Sequence, residues 1–195
     1  GTYMIKDINI GSGSSILATN YDTTDKKYYA VLNGLLYFPA FDGTEKAIWR
    51  TDGTTNGTIK VISIPSSGSN DYLGPQILNA IQNKLFFTTN SNNSSYHDSV
   101  WSSDGTQSGC VLLATFNGGS NNFRNSVFND ELYFTAPSPL NLSSKSLYKT
   151  DGTITGTTIV KNDLSLVGIN YLDPCGNYLY FSNGQNNTNG YELWR

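Results

Sequence analysis

The fold is decided by Leu35-Leu36-Tyr37-Phe38 and by the stretch that follows it, Ile48-Trp49-Arg50-Thr51-Asp52-Gly53-Thr54. The first element returns as Lys84-Leu85-Phe86-Phe87, Glu131-Leu132-Tyr133-Phe134 and Tyr178-Leu179-Tyr180-Phe181. The second returns as Val100-Trp101-Ser102-Ser103-Asp104-Gly105-Thr106, as Leu147-Tyr148-Lys149-Thr150-Asp151-Gly152-Thr153, and in part as Leu193-Trp194-Arg195. The closing aromatics at 38, 87, 134 and 181 are 49, 47 and 47 residues apart. A fixed period of this length indicates one structural unit repeated four times.

Each period predicts four short strands. In the first copy we expect strands at 28–32, 35–41, 46–51 and 57–64, because these runs are aromatic and β-branched and lie between turn-forming residues. Asn33 and Gly34 form a strong two-residue hairpin pattern between the first two strands. No window shows a sustained period of 3.6 residues, so we expect almost no helix.

Four-stranded units repeated at this spacing are typical of the blades of a β-propeller. We therefore predict an all-β fold, a propeller of four four-stranded antiparallel blades in one repeat domain over 1–195. The expected blades are 28–64, 76–115, 123–163, and 169–195 together with 1–8. Residues 1–8 carry the pattern of a fourth strand and are expected to pair beside 191–195, which closes the ring and protects an edge. An eight-blade ring made by two chains, joined as a homodimer through open blade edges, remains an alternative.

The repeated Trp-Arg-Thr-Asp-Gly-Thr element, preceded by the Leu-Tyr-Phe strand, resembles the ELWxxDGT repeat family. Its best match is split between Tyr191-Glu192-Leu193-Trp194-Arg195 at one end and Gly1-Thr2-Tyr3-Met4-Ile5-Lys6 at the other. The resemblance implies a propeller-like repeat segment of a larger secreted or cell-surface protein, most often bacterial. It implies no catalytic residues and no particular ligand.

Composition excludes several partners. The chain has 12 Lys and Arg against 15 Asp and Glu, for a net charge of -3, so it lacks the basic surface that contacts nucleic acid phosphates. No apolar run approaches the roughly 18 residues of a membrane span, and no membrane insertion is expected. No cofactor motif and no metal-ligand spacing are present.

Two sets of repeated residues have both a structural and a functional interpretation. The turn residues Asp52 and Gly53, Asp104 and Gly105, and Asp151 and Gly152 are expected to shape their turns, with calcium ligation by the carboxylates as the alternative. The aromatics Trp49, Trp101, Tyr148 and Trp194 are expected to pack between blades, with a stacking platform for sugars as the alternative.

The loops at one end of the blades differ in every copy, whereas the turns at the other end are nearly constant. The variable segments are 41–45, 90–98, 137–144 and 183–189, with the blade connections 9–27, 65–75, 116–122 and 163–168. Binding residues are concentrated in loops on rigid scaffolds. The candidate ligand-binding residues in and beside these segments are Tyr21, Asp42, Asp71, Tyr72, Tyr96, His97, Asp98, Arg124, Asn186 and Asn187.

Catalysis is not expected from these residues. His97 is the sole histidine, and although Asp98 follows it, neighbours on an extended loop point apart and no nucleophile motif accompanies them. The sequence thus predicts a non-catalytic recognition, adhesion or scaffold module that binds carbohydrate or protein. A purely structural or oligomerisation module without a ligand site is the alternative, and a glycan-active hydrolase is disfavoured.

Overall fold

The computed structural model describes residues 1–16, 29–64, 74–91, 97–117, 123–141, 144–164, 169, 171–185 and 190–195. No described residue lies in a helix, and the described chain forms fifteen strands in four antiparallel sheets. The predicted all-β class is confirmed.

Strands β1 to β4 form sheet 1 and β5 to β8 form sheet 2. Their bounds are β1 Ala30–Leu32, β2 Leu35–Phe41, β3 Lys46–Thr51, β4 Ile59–Ser63, β5 Gln76–Ile81, β6 Lys84–Ser91, β7 His97–Ser103 and β8 Val111–Asn117. Strands β9 to β12 form sheet 3, and β13 to β15 form the three-stranded sheet 4. Their bounds are β9 Asn125–Phe128, β10 Glu131–Pro137, β11 Lys145–Thr150, β12 Thr158–Leu164, β13 Leu172–Cys175, β14 Tyr178–Gln185 and β15 Gly190–Trp194.

The first three sheets have the same up-and-down order, and sheet 4 repeats its first three strands. Two-residue turns join the first and second strands, and Asn33, Asn83 and Asn129 adopt positive φ there, as the hairpin pattern requires. The fourth strand of sheet 1 begins at Ile59, later than predicted, because Thr58 still belongs to the preceding turn. Its amide donates to the carbonyl of Thr54 at 3.0 Å.

The sheets follow one another in series, and contacts between their first strands link β1 to β5, β5 to β9 and β9 to β13. The two neighbouring aromatics of each repeat point to opposite faces. Tyr37 of sheet 1 packs in one core with Phe87 of sheet 2, and Phe86 of sheet 2 packs with Phe134 of sheet 3. A third core holds Phe181 of sheet 4 against sheet 3. The period-two alternation of the strands therefore supplies both faces of every inter-sheet core.

The N-terminal segment departs from prediction. Residues 1–8 form no strand, and the described strand paired with β15 is β14. The segment instead lies against sheet 1, where Lys6 Nζ donates to the carbonyl of Thr58 at 2.7 Å and Thr55 Oγ1 donates to the carbonyl of Ile5 at 2.7 Å. Ile8 packs on the cluster around Trp49, the apolar face of sheet 1 that has no preceding sheet. The structure does not show the expected ring closure.

Candidate functional site at the variable-loop end

The antiparallel order brings four of the candidate residues to the same end of their sheets. Asp42 lies in the β2–β3 loop of sheet 1, His97 and Asp98 at the start of β7 in sheet 2, and Arg124 just before β9 in sheet 3. This is the variable-loop end. The β1–β2 and β3–β4 turns of each sheet, with their equivalents, lie at the opposite end, which we call the turn end.

Asp42 is bonded by its own loop and by Lys60 of β4. Its Oδ1 accepts hydrogen bonds from the Thr44 amide at 2.9 Å, the Thr44 hydroxyl at 2.6 Å and the Glu45 amide at 2.9 Å. Its Oδ2 accepts from Lys60 Nζ at 2.8 Å, and Lys60 also pairs with Glu45. The Lys60 hydrogen bond, followed by those from Thr44 and Glu45, holds the pKa of Asp42 well below its usual range. These contacts make Asp42 a residue that shapes its loop.

Asp98 has the opposite environment. Sequence analysis placed it in a loop from 90 to 98, but β6 and β7 extend into that range and Asp98 lies within β7, only 1% exposed. It lies opposite Phe116, and Phe116 packs against Phe134 and Tyr148 of sheet 3. Asp98 therefore borders the core between sheets 2 and 3, and the expectation that it lies in a loop is wrong.

The carboxylate of Asp98 carries an unsatisfied acceptor. Its Oδ2 is buried and has no hydrogen-bond partner among the described residues. Burial raises the pKa of Asp98 to about 6, and the positive charge of Lys145 opposes that rise. A carboxyl with this pKa is largely ionised at pH 7, so its charge is poorly solvated by the protein.

Arg124 carries an unsatisfied donor at the same end. Its backbone is fixed to β10, because its amide donates to Thr135 Oγ1 at 3.1 Å and its carbonyl accepts from the Thr135 amide at 2.9 Å. Its side-chain Nε is buried with no hydrogen-bond partner among the described residues. Buried polar atoms are nearly always paired in folded proteins, so Asp98 Oδ2 and Arg124 Nε are the described loop-end atoms that a ligand could satisfy.

The other six candidates lie outside the described residues, namely Tyr21, Asp71, Tyr72, Tyr96, Asn186 and Asn187. The backbone of His97 lies in β7 and pairs with Ser91. Asp42, Asp98 and Arg124 lie on three different sheets, and none of the described hydrogen bonds or ion pairs joins two of them.

Lys145 is a functional candidate that sequence analysis missed. It begins β11 and its charge acts on Asp98 from the neighbouring sheet. Lys46 begins the equivalent strand of sheet 1, so a lysine at this position was visible as a repeated feature. The proximity of Lys145 to Asp98 depends on how sheets 2 and 3 stack, and the sequence pattern does not specify that stacking.

Three of the four repeated aromatics, Trp101, Tyr148 and Trp194, lie in the inter-sheet cores as expected, whereas Trp49 packs against Ile8 on the face of sheet 1 that no described sheet precedes. Phe87 stacks on Trp101, Phe134 on Tyr148 and Phe181 on Trp194, with ring centroids 6.3, 5.5 and 6.3 Å apart. Trp101 Nε1 donates to Thr89 Oγ1 at 3.0 Å, whereas Ala40 occupies the position of Thr89 in sheet 1 and the buried Nε1 of Trp49 has no partner among the described residues. Their position leaves these rings little surface for stacking with a sugar.

The three Asp-Gly-Thr turns share one set of hydrogen bonds. Asp52, Asp104 and Asp151 each accept from the amide and the hydroxyl of the threonine two residues later, at 2.6 to 2.9 Å. The threonine hydroxyl bonds, followed by the threonine amide bonds, lower the pKa of each carboxyl. These contacts are those of an Asx turn.

Among the described residues, no group of three or more His, Cys, Asp or Glu side chains is placed to hold a metal ion. The same part of the chain contains no helix long and apolar enough to cross a membrane. No protein-family model and no curated protein matches the chain. The resemblance to ELWxxDGT repeats therefore rests on the repeated motif itself.

Proposed function

We propose that the chain is a non-catalytic recognition module, a β-propeller of the ELWxxDGT type, that binds its ligand at the variable-loop end. The propeller arrangement is supported by three four-stranded sheets of the same order and a three-stranded sheet that repeats their first three strands, all in series through their first strands. In this arrangement the turn end is a constant framework, and the loop end differs in every repeat.

One observation carries the proposal: two buried polar atoms at the loop end of adjacent sheets, Asp98 Oδ2 and Arg124 Nε, have no hydrogen-bond partner in the described part of the chain. Leaving a buried polar group unpaired costs about 1 to 3 kcal/mol, so a ligand that pairs with it recovers part of that free energy. Asp98 would accept hydrogen bonds and Arg124 would donate one. Hydroxyl-rich carbohydrate supplies both donors and acceptors, so it is the ligand class we propose, ahead of a protein. We place the module in a secreted or cell-surface protein.

The test is ligand-dependent thermal stabilisation with a panel of neutral and acidic oligosaccharides, because a ligand that binds the native state raises its melting temperature. The informative variants are Asp98→Asn and Arg124→Gln. Asp130→Asn is the matched control, since Asp130 lies in the β9–β10 turn at the turn end and adopts the positive φ that asparagine tolerates.

We expect at least one oligosaccharide to stabilise the unmodified chain and the Asp130→Asn variant. The same oligosaccharide should give a smaller shift with Asp98→Asn and with Arg124→Gln, each measured against its own baseline. An equal shift in all four proteins would overturn the proposed site. No response to any member of the panel would favour the alternative of a structural module.

A further inference from the structure

One inter-sheet contact occurs twice in the molecule. The Asp-Gly-Thr turn of sheet 2 covers Tyr37 of sheet 1, so closely that a Cβ atom at Gly105 would collide with the tyrosine ring. The turn of sheet 3 covers sheet 2 in the same way, with Ser102 Oγ donating to the carbonyl of Gly152 at 2.9 Å and Lys84 Nζ to that of Asp151 at 3.0 Å. Gly105 and Gly152 are both buried. Gly105 therefore packs on Tyr37 and Gly152 on Phe86, in each case the first aromatic of the preceding repeat.

The turn of sheet 1 has the same conformation without that contact. Gly53 adopts a φ of 91°, close to the 93° of Gly105, but it is exposed and a Cβ atom there would meet nothing. The turn at Gly53 thus lacks the contact with a preceding sheet that the turns at Gly105 and Gly152 make.

The outer face of sheet 4 corresponds to the face that the next sheet's turn covers in sheets 1 and 2. Leu193 is equivalent by repeat to Ile48, Val100 and Leu147, which are 0%, 0% and 3% exposed between sheets, whereas Leu193 is 75% exposed. Cross-strand pairing puts Ser182, Tyr180 and Cys175 on the same face as Leu193. Tyr180 is equivalent to Tyr37, the residue that Gly105 covers, and Cys175 is exposed. This face carries apolar and aromatic residues at inter-sheet positions together with the charged Asp173 and Arg195, and no described sheet covers it.

Residues 1–8 contact sheet 1 in a way that resembles the contact between a fourth strand and the next sheet. In sheet 1 the fourth strand touches the turn of the next sheet, where the Ser63 amide donates to Gln107 Oε1 at 2.7 Å. Thr55 is the repeat equivalent of Gln107, and it bonds to Ile5. Residues 1–8 therefore lie against sheet 1 where the fourth strand of a preceding sheet would lie, and the described part of sheet 4 has three strands.

We propose that sheet 4 docks on sheet 1 of a second copy of this chain, with β15 beside residues 1–8 of that copy and Tyr180 under its Gly53 turn. The chain's own sheet 1 leaves Leu193 and Gly53 exposed, so a second copy is the partner that this conformation can accept. Each copy offers one face of each kind, so two head-to-tail contacts close a ring of eight sheets. Eight lies within the range of propellers. This inference rests on the propeller arrangement proposed above.

The experiment is light scattering on the 195-residue chain over a range of concentrations, with no ligand present. We expect the mass of two chains. Leu193→Lys should return the mass of one chain and weaken the dimer at least about tenfold, because a lysine would have to lose its hydration in the interface. Leu140→Lys is the matched control, since Leu140 is 72% exposed in the β10–β11 loop and the dimer should survive its replacement.

A second pair of variants tests the same interface from its other side, so that the result does not depend on the folding of Leu193→Lys. Gly53→Ala places a methyl group where Tyr180 of the second copy should lie. Gly34→Ala is the control, because Gly34 also has positive φ but lies in the β1–β2 turn, where a Cβ atom has no neighbour within 4 Å. We expect Gly53→Ala to weaken the dimer and Gly34→Ala to leave it intact. The Cys175 thiol should react with a water-soluble disulfide reagent more slowly as the concentration of the unmodified chain rises, and this dependence should vanish in Leu193→Lys.

A single-chain mass at every concentration would overturn the inference, and so would a dimer that Leu193→Lys and Gly53→Ala leave unchanged. These results would not bear on the oligosaccharide test, which reports on the loop end of the sheets. Failure of the dimer and failure of the proposed function are therefore separate outcomes.

Discussion

Asp98 at the loop end and the carboxylates of the three Asp-Gly-Thr turns at the turn end have opposite environments. At the turn end, Asp52, Asp104 and Asp151 are exposed, bonded to their own turns, and have lowered pKa values. At the loop end, Asp98 is buried, one of its oxygens is unpaired among the described residues, and its pKa is raised to about 6. The turn end satisfies itself and can be repeated without change. Asp98 and Arg124 at the loop end retain polar atoms whose partners the described fold does not provide, and the function proposed above rests on these two atoms.

The largest expected effect comes from the framework itself, through Gly105→Ala. The methyl group meets positive φ and also the ring of Tyr37, so we expect a loss of about 2 to 4 kcal/mol in the free energy of unfolding. Gly53→Ala meets positive φ alone and should cost about 1 kcal/mol. Urea denaturation of both variants, under conditions where the chain is monomeric, gives the two values. Equal losses would mean that the turn of sheet 2 does not bear on sheet 1.

The next effect distinguishes the loop end, through Asp98→Asn. Because the pKa of Asp98 is raised in the folded state, the fold is more stable when Asp98 is protonated than when it is ionised. This stabilisation is fully present below the unfolded pKa of 3.8 and is lost as the pH rises through about 6. We therefore expect Asp98→Asn to match the unmodified chain near pH 4 and to be more stable by up to about 2 to 3 kcal/mol at pH 8. Urea denaturation across this pH range measures the difference. A variant that is less stable at pH 8 would contradict the assigned environment.

A smaller effect is expected from Asp104→Ala at the turn end. The change removes the acceptor for the amide and hydroxyl of Thr106, and we expect a loss of about 1 kcal/mol near neutral pH. The loss should shrink as the pH falls below 3.8, because a carboxyl with a lowered pKa stabilises the fold only while it is ionised. Thermal unfolding at pH 7 and pH 3 tests both statements, and a pH-independent loss would contradict them.

The smallest effect is a gain, from Cys110→Thr. Threonine stands at this position in sheets 1 and 3, where Thr58 and Thr157 donate to the turn carbonyl at 2.7 Å, whereas Cys110 Sγ makes a contact of 3.4 Å. We expect a gain of about 0.5 to 1 kcal/mol, since a hydroxyl replaces a weak thiol donor. Thermal unfolding provides the measurement. A loss would show that the second repeat has packed specifically around sulfur.

The parts of the structure that sequence analysis predicted are local. The strands, the hairpins at Asn33 and Asn129 and the Asp-Gly-Thr turns depend on side-chain period and on backbone preferences within a few residues. Asp98 was misplaced because the ends of β6 and β7 depend on packing against sheet 3. Residues 1–8 were misplaced because an unpaired strand pattern does not specify its partner, and the apolar face around Trp49 took the segment instead. Arg124 was named as a candidate because it lies beside a variable segment, but its Nε, unpaired among the described residues, depends on the assembled sheets.

The most direct test of the difference between the two ends is a carbon-13 NMR titration of the aspartate side-chain carboxyls. The account predicts a midpoint near pH 6 for Asp98 and midpoints below 3.8 for Asp104 and Asp151 in the same sample. A midpoint for Asp98 at or below 3.8 would contradict it, because that carboxylate would then be as well satisfied as those in the turns.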